Sequence, residues 1–321
     1  MRNDIYYNPA NYEASEISDE TLSGELTALM GRTKKFKVGI VVTTIITMII
    51  TAMCITSENY DYYEPIIQLV GFIATVAVGF CATNIKMINA KLRKLAGRTV
   101  IGGELEKVFR VISFCPNDAI KELLCHAARM RFRWDRREGS NYIYGEYRGV
   151  VFEFSNIELI SVKNMGEKNE QESCVFKGQW LIVNLAREVR FRVIISSRAF
   201  GTNIPAARNG ERQSVDIKTE NAAFNERFVI SAGDAQTAFY VLTPSVMDYI
   251  MAVDQLIGGA PIHFCFYGQQ VHIVLGSRYE SFVVGKDARD VPAFRARIQS
   301  EVRSLANFMD KLLQNEILFR H

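Results

Sequence analysis

The sequence lacks the signatures of the common catalytic machineries. It has no G-x-x-x-x-G-K-[ST] phosphate loop and no G-x-G-x-x-G turn after a strand-like run, which excludes nucleotide sites of those types. It has no H-E-x-x-H and no G-x-S-x-G, which removes the usual zinc hydrolase and serine hydrolase arrangements. Histidine is scarce: His126, His263, His272 and His321. His263 and His272 fall on neighbouring candidate strands, but only Cys265 lies near them as a third ligand, too thin a set for a metal centre. The six cysteines, at 54, 81, 115, 125, 174 and 265, contain no C-x-x-C, so neither a zinc knuckle nor a redox pair is indicated. They read as small buried hydrophobes in a reducing compartment. No catalytic, cofactor-binding or metal-ligating residue is assigned, and no cofactor is called for.

Charge is missing from two long stretches, and that absence is the strongest signal in the chain. Val38 to Ile55 and Ile66 to Ile85 contain no Asp, Glu, Lys, Arg or His. A helix needs roughly 20 apolar residues to cross a hydrocarbon core, and backbone amides have no partner there unless the segment is helical. The pair predicts a transmembrane hairpin. The first run begins after a long acidic segment, which does not fit a secretory leader. Cys54 and Cys81 fall at opposite depths of the hairpin, too far apart for a disulfide.

The flanks give orientation. Arg32, Lys34, Lys35 and Lys37 precede the first run, and Lys86, Lys91, Arg93 and Lys94 follow the second. The loop from Ser57 to Glu64 has no Lys or Arg but carries Tyr60, Tyr62 and Tyr63, suited to an outer interfacial belt. Basic flanks stay inside, so both termini are expected in the cytoplasm. Gly39, Thr43, Thr47 and Thr51 recur every fourth residue in the first run, and Gly71, Thr75, Gly79 and Thr83 do so in the second. These small faces suit close helix packing, with threonine hydroxyls able to bond across the contact, or a homo-oligomeric interface. A Thr-lined pore component is the extreme form.

The overall charge is only +3, but it is unevenly spread. The first thirty residues are acidic, whereas the stretch from Lys86 to Arg137 holds thirteen basic residues against five acids. Lys91, Arg93, Lys94 and Arg98, with an Arg129-Arg131-Arg133 face, are candidates for contact with lipid headgroups. No nucleic-acid recognition motif accompanies the charge, so nucleic acid is not the expected partner.

The periodicities predict the remaining organisation. An acidic cytoplasmic tail (1–35) leads into the hairpin (36–88), a helical linker (89–115) and a cytoplasmic domain (116–321). Pro116-Asn117-Asp118 reads as a helix start, with Ile120, Leu123, Leu124 and Ala127 at helical spacing. From Arg129 to Trp134 the period becomes two, which predicts a strand with the arginines on one side. Tyr142–Tyr147 and Val150–Phe154 around Arg148-Gly149 read as a hairpin. Strands are expected over Ser173–Leu185, Val189–Ser196, Phe228–Ile230, Ile262–Tyr267, Val271–Leu275 and Ser281–Val284, and a long loop over 197–216. Asp234 caps one helix, Pro244 opens another, and Pro292 starts a last amphipathic helix that turns Phe294, Ile298, Val302, Leu305, Met309 and Leu312 inward. Grouped helices and short-turn strands predict an α+β fold with a mainly antiparallel sheet, or a small barrel of pleckstrin-homology type.

Phe152-Glu153-Phe154-Ser155, Val175-Phe176-Lys177-Gly178, Phe224-Asn225-Glu226-Arg227-Phe228-Val229 and the segment from Ala238 through Leu242-Thr243-Pro244 follow one another in an order and spacing that resembles a bacterial membrane family known as domain of unknown function 3137. The resemblance runs from the first apolar run to the final helix. It implies a bacterial cytoplasmic-membrane protein and supplies neither an activity nor site residues. The function expected from the residues is a membrane-anchored interaction module at the inner membrane surface, with the bilayer and a protein as partners. A membrane-bound enzyme whose site is not readable is the alternative.

Overall fold

A computed structural model of the chain describes residues 18–56, 60–163, 166, 171–201, 214–314 and 316–319. The chain forms two units: Ser15–Thr99 with Val284–Ala296, and Val100–Val283 with Arg297–His321. The expected tail up to residue 17 and the tip of the interhelical loop lie outside the described residues.

In the first unit, α1 (Asp19–Ile55) and α2 (Tyr60–Ala96) form an antiparallel pair. Ser18 caps α1 by accepting from the Thr21 N–H at 3.3 Å, with Asp19 and Glu20 in the first turn, where acidic groups favour the helix dipole. Helix therefore begins at Asp19, well inside the stretch assigned to the tail. Leu22 and Leu26 are buried, while Ser23 donates to the Arg289 carbonyl at 2.7 Å and Asp19 meets Arg295 at 2.8 Å. Both helices are long and apolar enough to cross a membrane, and their apolar windows are not buried inside the protein. Residues 60–64, read as loop, form the first turn of α2, with Pro65 just inside it.

After α2 come a π-helical turn (Gly97–Gly102), within which the second unit begins at Val100, α3 (Gly103–Glu106), β1 (Arg110–Cys115) and α4 (Glu122–Ala127). β2 (Arg136–Tyr147), β3 (Val150–Lys163) and β4 (Gln171–Ser197) form an antiparallel meander. The β2–β3 turn places Arg148 and Gly149 at φ 50° and 83°, the left-handed pair a tight hairpin requires. A 3-10 turn (Arg198–Phe200), β5 (Val215–Ile217), α5 (Ala222–Arg227), β6 (Phe228–Ala232), α6 (Ala235–Val241) and α7 (Pro244–Leu256) follow. β7 (Ile262–Gly276), a 3-10 turn (Lys286–Arg289), α8 (Val291–Leu313) and α9 (Glu316–Phe319) complete the order. The sheet runs β1-β2-β3-β4-β6-β5, with β7 pairing along β4. No pairing among the described residues closes it into a barrel.

β4 is the axis of the sheet. Its first half pairs with β3, its end with β6, and β7 runs beside it from Gly178 to Ser196. Bulges between Asn184 and Val193 bend the ribbon, so the paired segments expected on each strand are one continuous, bent element. Alternate β4 side chains go to opposite faces. Trp180 and Ile182 join Ile120, Cys125 and Ala128 in one core cluster. Leu181 lies beside Phe154, with Leu305 and Phe308 of α8. Gly178 is obligatory here, because a Cβ would stand 2.0 Å from the Leu275 carbonyl oxygen.

Two expected strands are absent. Residues 129–135 are irregular: Arg129 has φ 54°, which breaks the extended run, and Arg131 turns inward. Residues 281–284 do not pair either, because side chains capture their backbone. Asn141 donates to the Ser281 and Phe282 carbonyls at 3.0 and 3.1 Å, and Asn156 accepts from the Ser281 N–H at 2.9 Å. The helix read from Pro116 starts later, at Glu122, and leaves Leu123 exposed. β1 and β5 fall in segments read as linker and loop; residues 202–213 of that loop lie outside the described residues.

Candidate ligand-binding cleft

Beside β4 a cleft of about 1200 Å3 opens between the segment after α4, the 3-10 turn at Phe200 and the loops flanking β7. Phe132, Phe176 and Phe200 form its aromatic wall, with ring centroids 6.4, 5.9 and 5.7 Å apart. Tyr279 stands at the mouth, 85 % exposed. A smaller slot of about 340 Å3 adjoins it between the sheet and α8, and the two cavities share Gln179, Ile257 and Leu275 as walls.

The Phe224-Asn225-Glu226-Arg227-Phe228 motif builds two of the cleft's supports. Arg227 is a two-pronged clamp: Nε donates to Asp254 Oδ2 at 2.8 Å and an Nη to Oδ1 at 2.6 Å. The same Nη reaches the Gly259 and Ala260 carbonyls, at 2.7 and 3.3 Å, fixing the loop where Gly258 and Gly259 have φ 65° and 71°. The carboxylate of Asp254 in turn raises the Arg227 pKa. That loop carries Ile257, Ala260 and Pro261 into the cleft. On the other side, Arg198 donates to the Asn225 and Glu226 carbonyls at 2.8 and 2.9 Å and so anchors the turn bearing Phe200. Lys177 bridges Glu280 at 2.8 Å and Glu158 at 3.6 Å, and its hydrogen bond to Glu280 raises its pKa.

The two buried histidines are both on β7 rather than on separate strands, and the His263 ring stands 6.3 Å from that of Phe200. His263 Nε2 sits 2.9 Å from the Ala128 carbonyl and must carry the proton, since a carbonyl only accepts. Ser196 then donates its hydroxyl to Nδ1 at 2.7 Å. Trp180 donates to His272 Nδ1 at 3.3 Å. Burial pushes the two rings down to about 4 and about 3 respectively. Among the described residues no group of three or more His, Cys, Asp or Glu is arranged to hold a metal ion, and all six cysteines are free.

The sequence-selected residues are only partly brought together. Lys91, Arg93, Lys94 and Arg98 are exposed on α2 and the turn after it, in the helical unit. The arginine triplet belongs to the sheet unit and does not form one solvent face. Arg133 is exposed and Arg129 half-buried, but Arg131 is 6 % exposed and donates to Val229 O and Ser231 Oγ, both at 3.2 Å. Desolvation lowers its pKa to about 10, with Asp216 opposing.

In the hairpin, Gly39, Thr43, Thr47 and Thr51 all lie on the half-buried face of α1, with Gly39 opposite Cys81. On α2 only Gly71 is half-buried, while Thr75, Gly79 and Thr83 are exposed. The α2 line therefore leaves the contact face after Gly71. The hydroxyls of Thr47, Thr75 and Thr83 donate to the carbonyls of Thr43, Gly71 and Gly79, at 2.9, 2.8 and 2.9 Å, not across the contact.

Sequence reasoning missed the cleft. Phe132 was hidden in an apparent strand, Phe200 in an apparent loop, and only Phe176 lay in a recognised motif.

Fold and site define an α+β domain on an antiparallel sheet, preceded by two helices with membrane-spanning length and composition. Residues 174–313, from β4 to the end of α8, match the family model described as protein of unknown function (DUF3137), the family the sequence resembles. No curated protein matches the chain. Among solved structures, the crystal structure of the mycobacterial trehalose monomycolate transport factor A, TtfA, aligns at 9% identity and a TM-score of 0.33, covering 66% of this chain and 93% of that one, a likeness that carries no argument.

Two outcomes follow from these contacts. Arg227→Ala leaves the Asp254 carboxylate without its clamp and is expected to lower unfolding free energy by about 3 kcal/mol in denaturant titration, with Arg227→Lys recovering less than half because an ammonium cannot make the parallel pair. The histidines give a pH dependence. Their folded-state pKa values lie below the unfolded value of about 6.5, so the unfolded chain takes up protons first as pH falls. Stability is complete above about 6.5 and declines through about pH 4 and 3, by about 1 kcal/mol per pH unit for each histidine. His272→Gln keeps an acceptor for Trp180 and removes one proton from the slope of melting temperature against pH; an unchanged slope contradicts the assignment.

Proposed function

We propose that this chain is a membrane-anchored binding module of the bacterial inner membrane. The α1–α2 hairpin holds it in the bilayer, both termini and the sheet unit face the cytoplasm, and the cleft beside β4 receives the ligand or the apolar side chains of a protein partner. The carrying observation is the cleft itself, a concave, aromatic-walled cavity held open by the Arg227 and Arg198 clamps. Large apolar cavities with few convergent polar groups are the usual form of binding sites. The lysine- and arginine-rich flanks support the orientation. Lys91, Arg93, Lys94 and Arg98 are placed to meet anionic headgroups, a contact worth about 1 kcal/mol each. A homo-oligomer is also consistent with the groove of about 680 Å3 along Thr44, Thr47, Thr51, Gly71 and Thr75. Nucleic acid is not proposed as a partner.

Orientation is tested with a membrane-impermeant maleimide on intact cells, in a Cys54→Ala background. A cysteine at the exposed Glu64 position (Glu64→Cys) should label directly, whereas the exposed Cys174 should label only after permeabilisation; the reverse pattern rejects the topology. The binding reading is tested by native mass spectrometry of the full chain taken from membranes. Ala260→Trp fills the cleft and should abolish at least one bound species carried by the wild type. Identical bound species on both proteins would reject it.

A further inference from the structure

We infer that the cleft and its inner slot together bind a single-chain amphiphile with an anionic head, of the long-chain fatty carboxylate type. The inference rests on the binding-module reading and names its ligand. Two observations carry it: the polarity of the slot and the charge at the mouth.

The slot has polar residues in its walls, and most of their groups are engaged within the protein. Gln179 donates to the Ser281 hydroxyl at 2.7 Å. Glu301 accepts from the Phe282 N–H and from Arg297. The Ser304 hydroxyl donates to the Ser300 carbonyl at 2.9 Å. Besides the exposed Ser300, an occupant meets chiefly the surface of Phe154, Leu181, Leu275, Leu305 and Phe308. A polar occupant entering this slot loses its water without gaining partners, a cost that only an apolar chain avoids. The volume of about 340 Å3 lies at the low end of the roughly 300–1,000 Å3 range of small-ligand sites, which fits one chain rather than two.

The mouth differs in charge. Lys177 is held between Glu158 and Glu280, two carboxylates to one ammonium, and is not available to a ligand. Arg278 lines the outer cleft, is exposed and makes no ion pair among the described residues. A chain seated in the slot and running past Gln179 and Leu275 places its head in the outer cleft, where Arg278 supplies the complementary cation. A guanidinium matches a carboxylate in shape as well as charge.

The test uses the full chain in phosphatidylcholine nanodiscs with a palmitic acid analogue bearing a diazirine near its methyl end. After illumination, the label should map to β4 around Leu181 and to α8 between Ser300 and Phe308. Palmitate should compete, and methyl palmitate should compete about tenfold less well, the weight of one charge-assisted contact. Ser304→Trp, at an exposed position on the slot wall, should abolish labelling there. Arg278→Glu should weaken palmitate competition about tenfold without altering that of the methyl ester. Labelling confined to α1 and α2, or insensitive to Ser304→Trp, overturns the inference, as does equal competition by acid and ester. If Ala260→Trp removes a bound species from the native protein while these arms fail, the cleft binds something else and only the ligand class is wrong. If both fail, the binding-module reading falls as well.

Discussion

Over Gly178–Val183 and Val193–Ser196 both edges of β4 are hydrogen-bonded, and the rest of the sheet unit depends on that constraint. A strand paired on two sides offers no free edge, so its side chains alternate into two buried layers and its sequence becomes a nearly continuous apolar run. Trp180 and Ile182 feed the layer with α4, while Leu181 feeds the layer with α8. The same double pairing forces Gly178, since the Leu275 carbonyl occupies the space a side chain would need. It also sets the cleft: the bent β4–β7 ribbon brings the two ends of β7 close enough for the Gly276 N–H to reach the Pro261 carbonyl at 2.7 Å. That closure gathers Phe176, Pro261 and Leu275 around one cavity.

The recognisable motifs turn out to be mechanical parts. Phe224 and Phe228 are buried, with rings 4.8 Å apart, and between them Asn225 ties down Thr219 through three hydrogen bonds. Arg227 and the backbone carbonyls of Asn225 and Glu226 then hold the two loops of the cleft. A motif of this kind reports the scaffold: its residues hold loops and pack a core. The cleft is lined by groups outside the motif, among them Phe132, Phe200 and Arg278.

What the sequence made legible follows from the range of the physics involved. Local signals were read correctly: the Arg148-Gly149 hairpin, the Asp234 cap, the helix opened by Pro244 and the α8 stripe each depend on neighbours within one or two turns. Signals settled by distant partners were not. Residues 281–284 have the composition of a strand, but Asn141 and Asn156, more than a hundred residues earlier, take their backbone bonds. β5 is three residues long and exists because β6 pairs with it. The cleft joins side chains from Phe132 to Tyr279, so no local period could announce it.

The basic zone shows the same limit for electrostatics. Counted along the chain, the arginines at 129, 131 and 133 form an alternating row, and alternation implies a common face only where the backbone is extended. Arg129 at φ 54° removes that premise. Once Arg131 turns inward, its guanidinium donates to a carbonyl and a hydroxyl, and desolvation lowers its pKa against the opposing charge of Asp216. A buried charge of that sort ties residues 129–135 to β6 and is unavailable to any surface. Lys91, Arg93 and Lys94 at the end of α2, by contrast, are exposed, because helix geometry decides which side chains reach water.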